Sequence, residues 1–530
     1  MGDIRRKAAA RRARAAVAVT LMALGPALAC SSDGDDRDGD PAGASGSGDG
    51  AMGATVAACD GAEAIEAPSP QFVVDACGRV VILRGTNVES GNKGSSVDDR
   101  HLPDSVDSQR HLGQFGWNSV RFLISWGAVE PERGVYDDSY LDELEQWMDH
   151  YAEQGIHVVL DMHQDVYGWA VGGNGAPDWA VVTDGLEPQP LPEGQPWYLA
   201  AADPAAQAAY QNFWDPTRGH PELQDHFFDA WAHVADRFAD HPAVVGYDLL
   251  NEPVFANGDL TATLAIQAEA AAGTFRNPNL TAFSQRGIDT LRAADDDAWI
   301  MVEPTSLLNA FPYAGDLSAL TDPRAAGPRL GYAPHLYESS VHDGNGYPAD
   351  STYLAEWEQM RTGEADALRA TLYMGEFGGP PDQDRMADYI AETLAMADRT
   401  MAGWAQWSWD PATDPEGSWS PITTDGELTA TGERLLRVQP RAIAGVPTSF
   451  SWDPDTSVFR MAWTEREGVD GPTELAAPVG RWDGEIEVVV DGEVVDVVVD
   501  EERGIIAIEP EAAGPDHEVC VRWGADAGTC

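Results

Sequence analysis

Tyr-Asp-Leu-Leu-Asn-Glu-Pro (247–253) and Leu-Tyr-Met-Gly-Glu-Phe-Gly (372–378) share one pattern. A short apolar run of strand length ends in a glutamate, and Pro or Gly follows at once. The run reads as a buried strand, and the Pro or Gly as the turn that leaves it. Glu252 and Glu376 therefore stand at strand tips, held rigidly and kept partly dry, where surroundings set the proton affinity of a carboxyl group.

Apolar, β-branched runs recur on both sides of these two, at 80–88, 119–124, 157–162, 244–250, 299–302, 330–333, 371–375 and 403–407. Amphipathic stretches separate them. In 139–154, Tyr140, Leu141, Leu144, Trp147, Met148 and Tyr151 fall at helical spacing; in 222–239, Leu223, Phe227, Phe228, Trp231, Val234 and Phe238 do the same. Strand–helix alternation repeated eight times predicts an α/β fold, a (β/α)8 TIM barrel over residues 59–439. An open doubly wound sheet is the alternative, weakened because nearly every run ends in a polar or aromatic cluster. Two connectors, 164–221 and 254–279, are long enough to wall a cleft. Beyond Pro440, short alternating segments (457–464, 485–490, 494–499, 504–508, 518–523) punctuated by turns such as Asp491-Gly492 predict a C-terminal β-sandwich over 440–530.

The 530 residues carry a formal charge of −55 spread along the chain, which argues against nucleic acid as a partner and against charge-driven binding to an anionic membrane. Arg5, Arg6, Lys7, Arg11, Arg12 and Arg14 precede an apolar stretch, 15–29, too short to span a bilayer and closed by Ala27-Leu28-Ala29. Residues 1–29 are expected to be a signal peptide, and Cys30 directly after it a lipidation site, with plain secretion as the alternative. Residues 30–58, rich in Gly, Asp and Ser, read as a flexible tether. The expected location is secreted, or lipid-anchored on the outer face of a bacterial membrane, and a monomer is expected. Four further cysteines allow three pairings; close spacing favours Cys59–Cys77 and Cys520–Cys530, in keeping with an oxidising compartment.

The side chains at the run ends form a set. Arg121 lies in the second run and Asp161-Met162-His163-Gln164-Asp165 ends the third. Asn251-Glu252 ends the fourth, His335-Leu336-Tyr337 the sixth, Glu376 the seventh and Trp407-Ser408-Trp409 the eighth. Taken singly, Arg121 is as readily a core ion pair, His163 a structural histidine and Trp407 a core residue. On one barrel face they suit glycoside hydrolysis with retention, which needs a proton donor and a carboxylate nucleophile about 5 Å apart. Glu252 is expected as acid/base and Glu376 as nucleophile, with Arg121 keeping Glu376 ionised and Tyr337 hydrogen-bonded to it. Asn251 would hold the sugar 2-hydroxyl, His163 and His335 would order the polar floor, and Trp407 would stack on the sugar. Glu303, in Val-Glu-Pro, lacks the preceding Asn and is set aside; Asp161 and Asp248 are expected to brace neighbours from below. Lys93 stands out because Lys7 and Lys93 are the two lysines of the chain, so an ammonium there reads as selected over a guanidinium. Neither a metal nor an organic cofactor is expected.

Together these stretches resemble glycoside hydrolase family 5, and its endoglycoceramidase branch in particular. The matching motifs are Ile-Leu-Arg-Gly-Thr-Asn (82–87), Val-Arg-Phe-Leu-Ile-Ser-Trp (120–126), Val-Glu-Pro (129–131), Leu-Asp-Met-His-Gln-Asp-Val-Tyr (160–167), Gly-Asn-Gly-Ala-Pro (173–177), Asp-Leu-Leu-Asn-Glu-Pro, Pro-His-Leu-Tyr (334–337), Gly-Glu-Phe-Gly (375–378) and Pro-Arg-Ala-Ile-Ala-Gly-Val-Pro-Thr (440–448). The resemblance implies cleavage of the β-glycosidic bond between an oligosaccharide and ceramide. It also implies that Lys93 and Asp165 contact the first sugar, near His163, Asn251 and Tyr337, and that an apolar groove takes the lipid. The segments after Tyr167 and Tyr337, and Trp409 and Glu303, depart from the branch. The alternatives are a related β-glycosidase acting on sterol or plant glycosides or β-glucans, and a carbohydrate-binding surface protein without activity.

Overall fold

The eight strands close into a parallel barrel in a computed structural model that describes residues 65–88, 90–94, 112–192, 197–254, 268–306, 309, 311–315, 317, 319–409, 419–477, 486–500, 503–509, 514–524 and 528–530. The expected signal peptide, tether, Cys30 and Cys59 lie outside the described residues. Order around the barrel follows the chain: β1 (Arg84–Val88), β2 (Ser119–Ile124), β3 (His157–Met162), β4 (Val244–Asp248), β5 (Trp299–Val302), β6 (Leu330–Tyr332), β7 (Thr371–Phe377) and β8 (Gly403–Gln406), which pairs back onto β1. Every residue of β2 and of β7 is buried. A barrel strand is covered by side chains inside and helices outside, so it reads as an unbroken apolar run rather than an alternating one.

The helices wrap this barrel for local reasons visible in their ends. Helix α1 (Asp138–Gln154) is capped by the Asp137 carboxylate, which accepts from the N–H groups of Ser139 and Tyr140, and stops at left-handed Gly155. It buries the six apolar residues expected from the spacing. Connector 164–221 is not irregular throughout: it contains α2 (Pro204–Trp214), started by Asp203 and by Pro204 in the first turn. Helix α3 (Glu222–Phe238) follows, then α4 (Pro278–Ala294), α5 (Tyr353–Leu368) and α6 (Met386–Thr400). Half of the other long connector, residues 255–267, lies outside the described residues. Among the described residues no helix is long and apolar enough to cross a membrane.

Two expected strands turn out to be two strands each. The run 80–88 splits: Val80–Val81 pairs with Val73–Val74 and with Ala442–Ile443 of the C-terminal part, and only Arg84–Val88 enters the barrel. Ile82 and Leu83 cross between the sheets and are buried on both sides, so hydropathy does not mark the change. The run 494–499 splits likewise, into strands of different sheets.

The C-terminal part is a sandwich of two antiparallel sheets. Its strands are β9 (Gln439–Ile443), β10 (Gly445–Asp453), β11 (Val458–Glu465), β12 (Thr473–Ala476), β13 (Ile486–Val490), β14 (Glu493–Val495), β15 (Val498–Asp500), β16 (Ile505–Ile508) and β17 (Asp516–Trp523). One sheet runs β9–β12–β16–β15 with the N-terminal hairpin at its edge; the other runs β10–β11–β17–β13–β14. Cys520 and Cys530 are joined by a disulfide. Cys77 is also disulfide-bonded.

The sandwich seals the N-terminal end of the barrel. Asp398 of α6 pairs with Arg84 at 2.9 Å and with Arg437, and Arg441 donates to the carbonyls of Gly116 and Trp117. Phe450, Phe459 and Trp463 share one apolar cluster with the barrel-lining Trp299, Met301 and Tyr373. Chemistry is left to the opposite end, where the strands finish.

Candidate active site

Arg121, on β2, is the hub. Its guanidinium is fully buried, and a buried cation persists only where anions surround it. Nε donates to Asp248 Oδ2 at 2.8 Å, Nη1 to Glu376 Oε1 at 2.9 Å and to Asn87 Oδ1 at 3.0 Å, and Nη2 to Asn251 Oδ1 at 2.9 Å and Glu303 Oε1 at 3.1 Å. Asp161 Oδ1 lies 2.9 Å from Nη2. Burial alone would weaken its hold on the proton, but Asp161, Asp248, Glu376 and Glu303 reverse that and hold Arg121 above its ordinary value.

Above this hub the two glutamates face each other. One oxygen of Glu252, one of Glu376 and a ring nitrogen of His335 lie within 4.8 Å of one another. Glu376 is nearly buried; its Oε2 accepts the Tyr337 hydroxyl at 2.8 Å while Arg121 takes the other oxygen. Burial, then the charge of Glu376, holds the Tyr337 phenol well above its usual range, so it stays a donor. The Glu252 side chain keeps 23% exposure toward the cleft. Its Oε1 meets His335 Nδ1 at 2.9 Å and Asn309 Nδ2 at 3.0 Å. Gly375 is required behind His335, because a Cβ there would come within 2.9 Å of Nε2.

The charges around His335 and Glu252 shift the two groups in opposite directions. Burial would strip His335 of its proton, but Glu303, Glu376 and the bond to Glu252 keep the imidazole charged well above the usual range. Burial pushes Glu252 up, and the hydrogen bond and charge of His335 outweigh it, so the carboxyl sits below its ordinary value. Burial pushes Glu303 up, opposed by the charges of His335 and Arg121 beside it.

A second group lines the wall beside the glutamates. Lys93, in the turn Ser90–Lys93 after β1, places Nζ 2.9 Å from Asp165 Oδ2 and 4.1 Å from the Trp407 ring centre. Burial pushes Asp165 up, but Lys93 and His163 hold it well below the usual carboxylate range. His163 stacks on Trp407 at 5.7 Å, with Nδ1 2.7 Å from Asp161. Asn251 is held at both ends, by Arg121 and by its donation to Gln164 O at 3.0 Å. Next to His163 and Gln164 an apolar pocket opens, lined by Trp126, Tyr167, Phe213, Trp214 and Leu250.

All ten expected side chains, Lys93, Arg121, His163, Asp165, Asn251, Glu252, His335, Tyr337, Glu376 and Trp407, thus meet at one end of the barrel. The model of the cellulase family, glycosyl hydrolase family 5, matches residues 74–413, and the family 5 C-terminal domain matches 437–522. The chain belongs to glycosyl hydrolase family 5. This family 5 chain is an O-glycosyl hydrolase, and it is similar to two curated endoglycoceramidases. One, endoglycoceramidase I of Rhodococcus hoagii (strain 103S), is 30% identical over 423 residues, 76% of this chain and 77% of that one. The other, endoglycoceramidase of Cyanea nozakii, is 34% identical over 429 residues, 75% and 80% of the two chains. Among solved structures, endo-glycoceramidase II from Rhodococcus sp. superposes with a TM-score of 0.75 at 36% identity, over 86% of this chain and 100% of that one. That protein has been solved with ganglioside GM3 and as a lactosyl-enzyme intermediate.

Sequence reasoning missed three members of the family 5 site and set aside a fourth. Asn87 joins Arg121 from β1, Gln164 donates to the carbonyls of Asn251 and Glu252, and Asn309 reaches Glu252 from the segment after β5. Glu303 lacks the Asn that precedes Glu252 in sequence, yet it lies inside the Arg121–His335 cluster. Its position at a strand end, like that of Glu252 and Glu376, was the available signal. Trp409 is core, packed edge-on against Phe115 and Trp117.

Proposed function

We propose that this hydrolase cleaves the β-glycosidic bond between an oligosaccharide and ceramide in glycosphingolipids, with retention at the anomeric carbon. The observation that carries the mechanism is the facing of Glu252 and Glu376 within 4.8 Å, the short separation that suits direct attack rather than an intervening water. Glu376, held between Arg121 and Tyr337, attacks the anomeric carbon. Glu252 transfers a proton to the glycosidic oxygen, and ceramide leaves as the alcohol. The proton reaches Glu252 along its 2.9 Å bond from His335 as the entering substrate displaces water and makes an ionised Glu252 costlier. Glu252 then deprotonates a water that attacks the glycosyl ester, releasing the sugar and restoring the Glu376 carboxylate. Lys93, Asp165, His163, Asn251 and Trp407 hold the first sugar. Support for the lipid aglycone comes from the endoglycoceramidase relatives and from the apolar pocket beside His163 and Gln164.

We propose further that residues 1–29 direct export, that Cys30 carries lipid, and that 30–58 tether a monomeric enzyme to the outer face of a bacterial membrane. Cys30→Ala should then release active enzyme into the medium; retention on the cell would remove the anchor. The substrate reading is tested with purified protein on a mixed glycolipid extract, scored for free ceramide and for intact oligosaccharide. Release by wild type but not by Glu376→Gln supports it. Cleavage of soluble glucans or sterol glucosides with glycolipids left intact overturns it.

A further inference from the structure

Glu252 has a left-handed backbone, φ 43°, a conformation that a residue with a side chain rarely holds without outside support. That support comes from the end of the neighbouring strand. The Glu252 N–H donates to Glu303 Oε2 at 2.9 Å, and the Ser306 N–H donates to Pro253 O at 3.0 Å. Asn309, from the same segment, holds the Glu252 carboxylate at 3.0 Å. On its other side Glu303 is fixed in turn: Oε1 accepts Arg121 Nη2 at 3.1 Å and lies 3.2 Å from His335 Nε2. Its side chain is fully buried, so it does not reach a substrate.

We infer that Glu303 is a positioning residue for Glu252, clamping the backbone of that glutamate while fixing the imidazole that bonds its carboxyl group. The inference rests on the reading of Glu252 as acid/base. The clamp needs a carboxyl group, because both oxygens must accept at once. A glutamine turns its amide oxygen toward either the Glu252 N–H or the Arg121–His335 side, and its NH2 then meets a donor on the other. Glu303 therefore acts through Glu252, and its loss should be felt only in steps that Glu252 serves.

The test compares wild type, Glu303→Gln, Glu252→Gln and the double variant on two lactosides. One has an alkyl leaving group that needs protonation; the other, 2,4-dinitrophenyl, leaves unaided. For Glu303→Gln, kcat/KM on the alkyl lactoside should fall by about 10- to 100-fold, a fraction of what full general acid catalysis supplies. On the dinitrophenyl lactoside kcat/KM should stay within about 3-fold of wild type, while kcat and KM fall together because breakdown of the glycosyl ester still needs the base. Azide, a nucleophile needing no base, should restore that kcat. Adding Glu303→Gln to Glu252→Gln should cost nothing further on either substrate. Equal losses on both substrates, or a further loss in the double variant, would overturn the inference. If Glu303→Gln does not fold, Glu303→Asp, which keeps both acceptors but withdraws them by one methylene, should give the same split. The parent reading is judged separately: a Glu252→Gln variant that loses kcat/KM equally on both lactosides removes the acid/base assignment whatever Glu303 does.

Discussion

Replacing Arg121 with Met tests whether the cluster at the barrel mouth is held by one cation. The guanidinium lies within 3.1 Å of Asp161, Asp248, Glu303 and Glu376, and its side chain is fully buried. Methionine fills similar space and removes the charge. Breaking a buried ion pair from one side costs about 3–5 kcal/mol, because the remaining charge is left without a partner. Four such carboxylates do not cost four times that, since each can take up a proton instead. The unfolding free energy at pH 7 should thus drop by about 3–5 kcal/mol. The pH dependence has a definite sign. Without Arg121 the orphaned carboxyls bind protons more tightly in the folded chain than in the unfolded one. Asp248 and Glu303 are already raised by burial with the guanidinium in place. A group raised on folding destabilises above its unfolded value, so the variant should lose stability as pH rises from about 4 toward 8 and recover it on acidification. Urea unfolding of both proteins at pH 5 and pH 7, followed by tryptophan fluorescence, measures this. A gap below about 1 kcal/mol at pH 7, or a gap unchanged between the two pH values, would refute the reasoning.

Lys93→Ala removes both the ion pair to Asp165 and the cation over Trp407; KM for the preferred glycoside should rise about 10-fold, with Lys93→Arg restoring little, as read from a panel of sugar head groups. Gly375→Ala places a methyl against His335, so the folded variant should lose most of its kcat, measured with circular dichroism as the control. In the sandwich, His517 is held between Asp491 at 2.8 Å and Glu465 at 3.1 Å; burial alone would lower its proton affinity, but the two acids raise it. Its contribution is present below about pH 6.5 and lost as pH rises through the raised folded value, and urea titrations should show that window vanish in His517→Gln.

Legibility in the sequence followed whether a residue's neighbours announced its environment. Glu252, Glu376, Arg121, His335 and Tyr337 lie on or directly after apolar runs, and a barrel brings such ends together whatever their separation in the chain. Asn309 has no such marker. It lies in a connecting segment, 57 positions from the carboxylate it binds, and only the turn of the chain after β5 puts it there. Glu303 has the marker of a strand end, but its place between Arg121 and His335 is set by the barrel and not by its sequence neighbours. The split of 80–88 was hidden because residues crossing between two buried sheets stay apolar throughout. Protonation was the least legible property. That His335 is raised and Glu252 lowered depends on how many carboxylates surround the ring, which no local window reveals.

The N-terminal hairpin in the sandwich sheet has a consequence for how this protein is made. Arg79, just before Val80–Val81, pairs with Glu474, 395 positions later, and the second ladder partner of Val80–Val81, Ala442–Ile443, arrives only when most of the polypeptide has been synthesised. Closing so long a span is slow and entropically costly. A fragment ending after β8 would leave that edge bare and the floor of the catalytic cavity without its cover. Truncation at that point should yield aggregate rather than a smaller working enzyme.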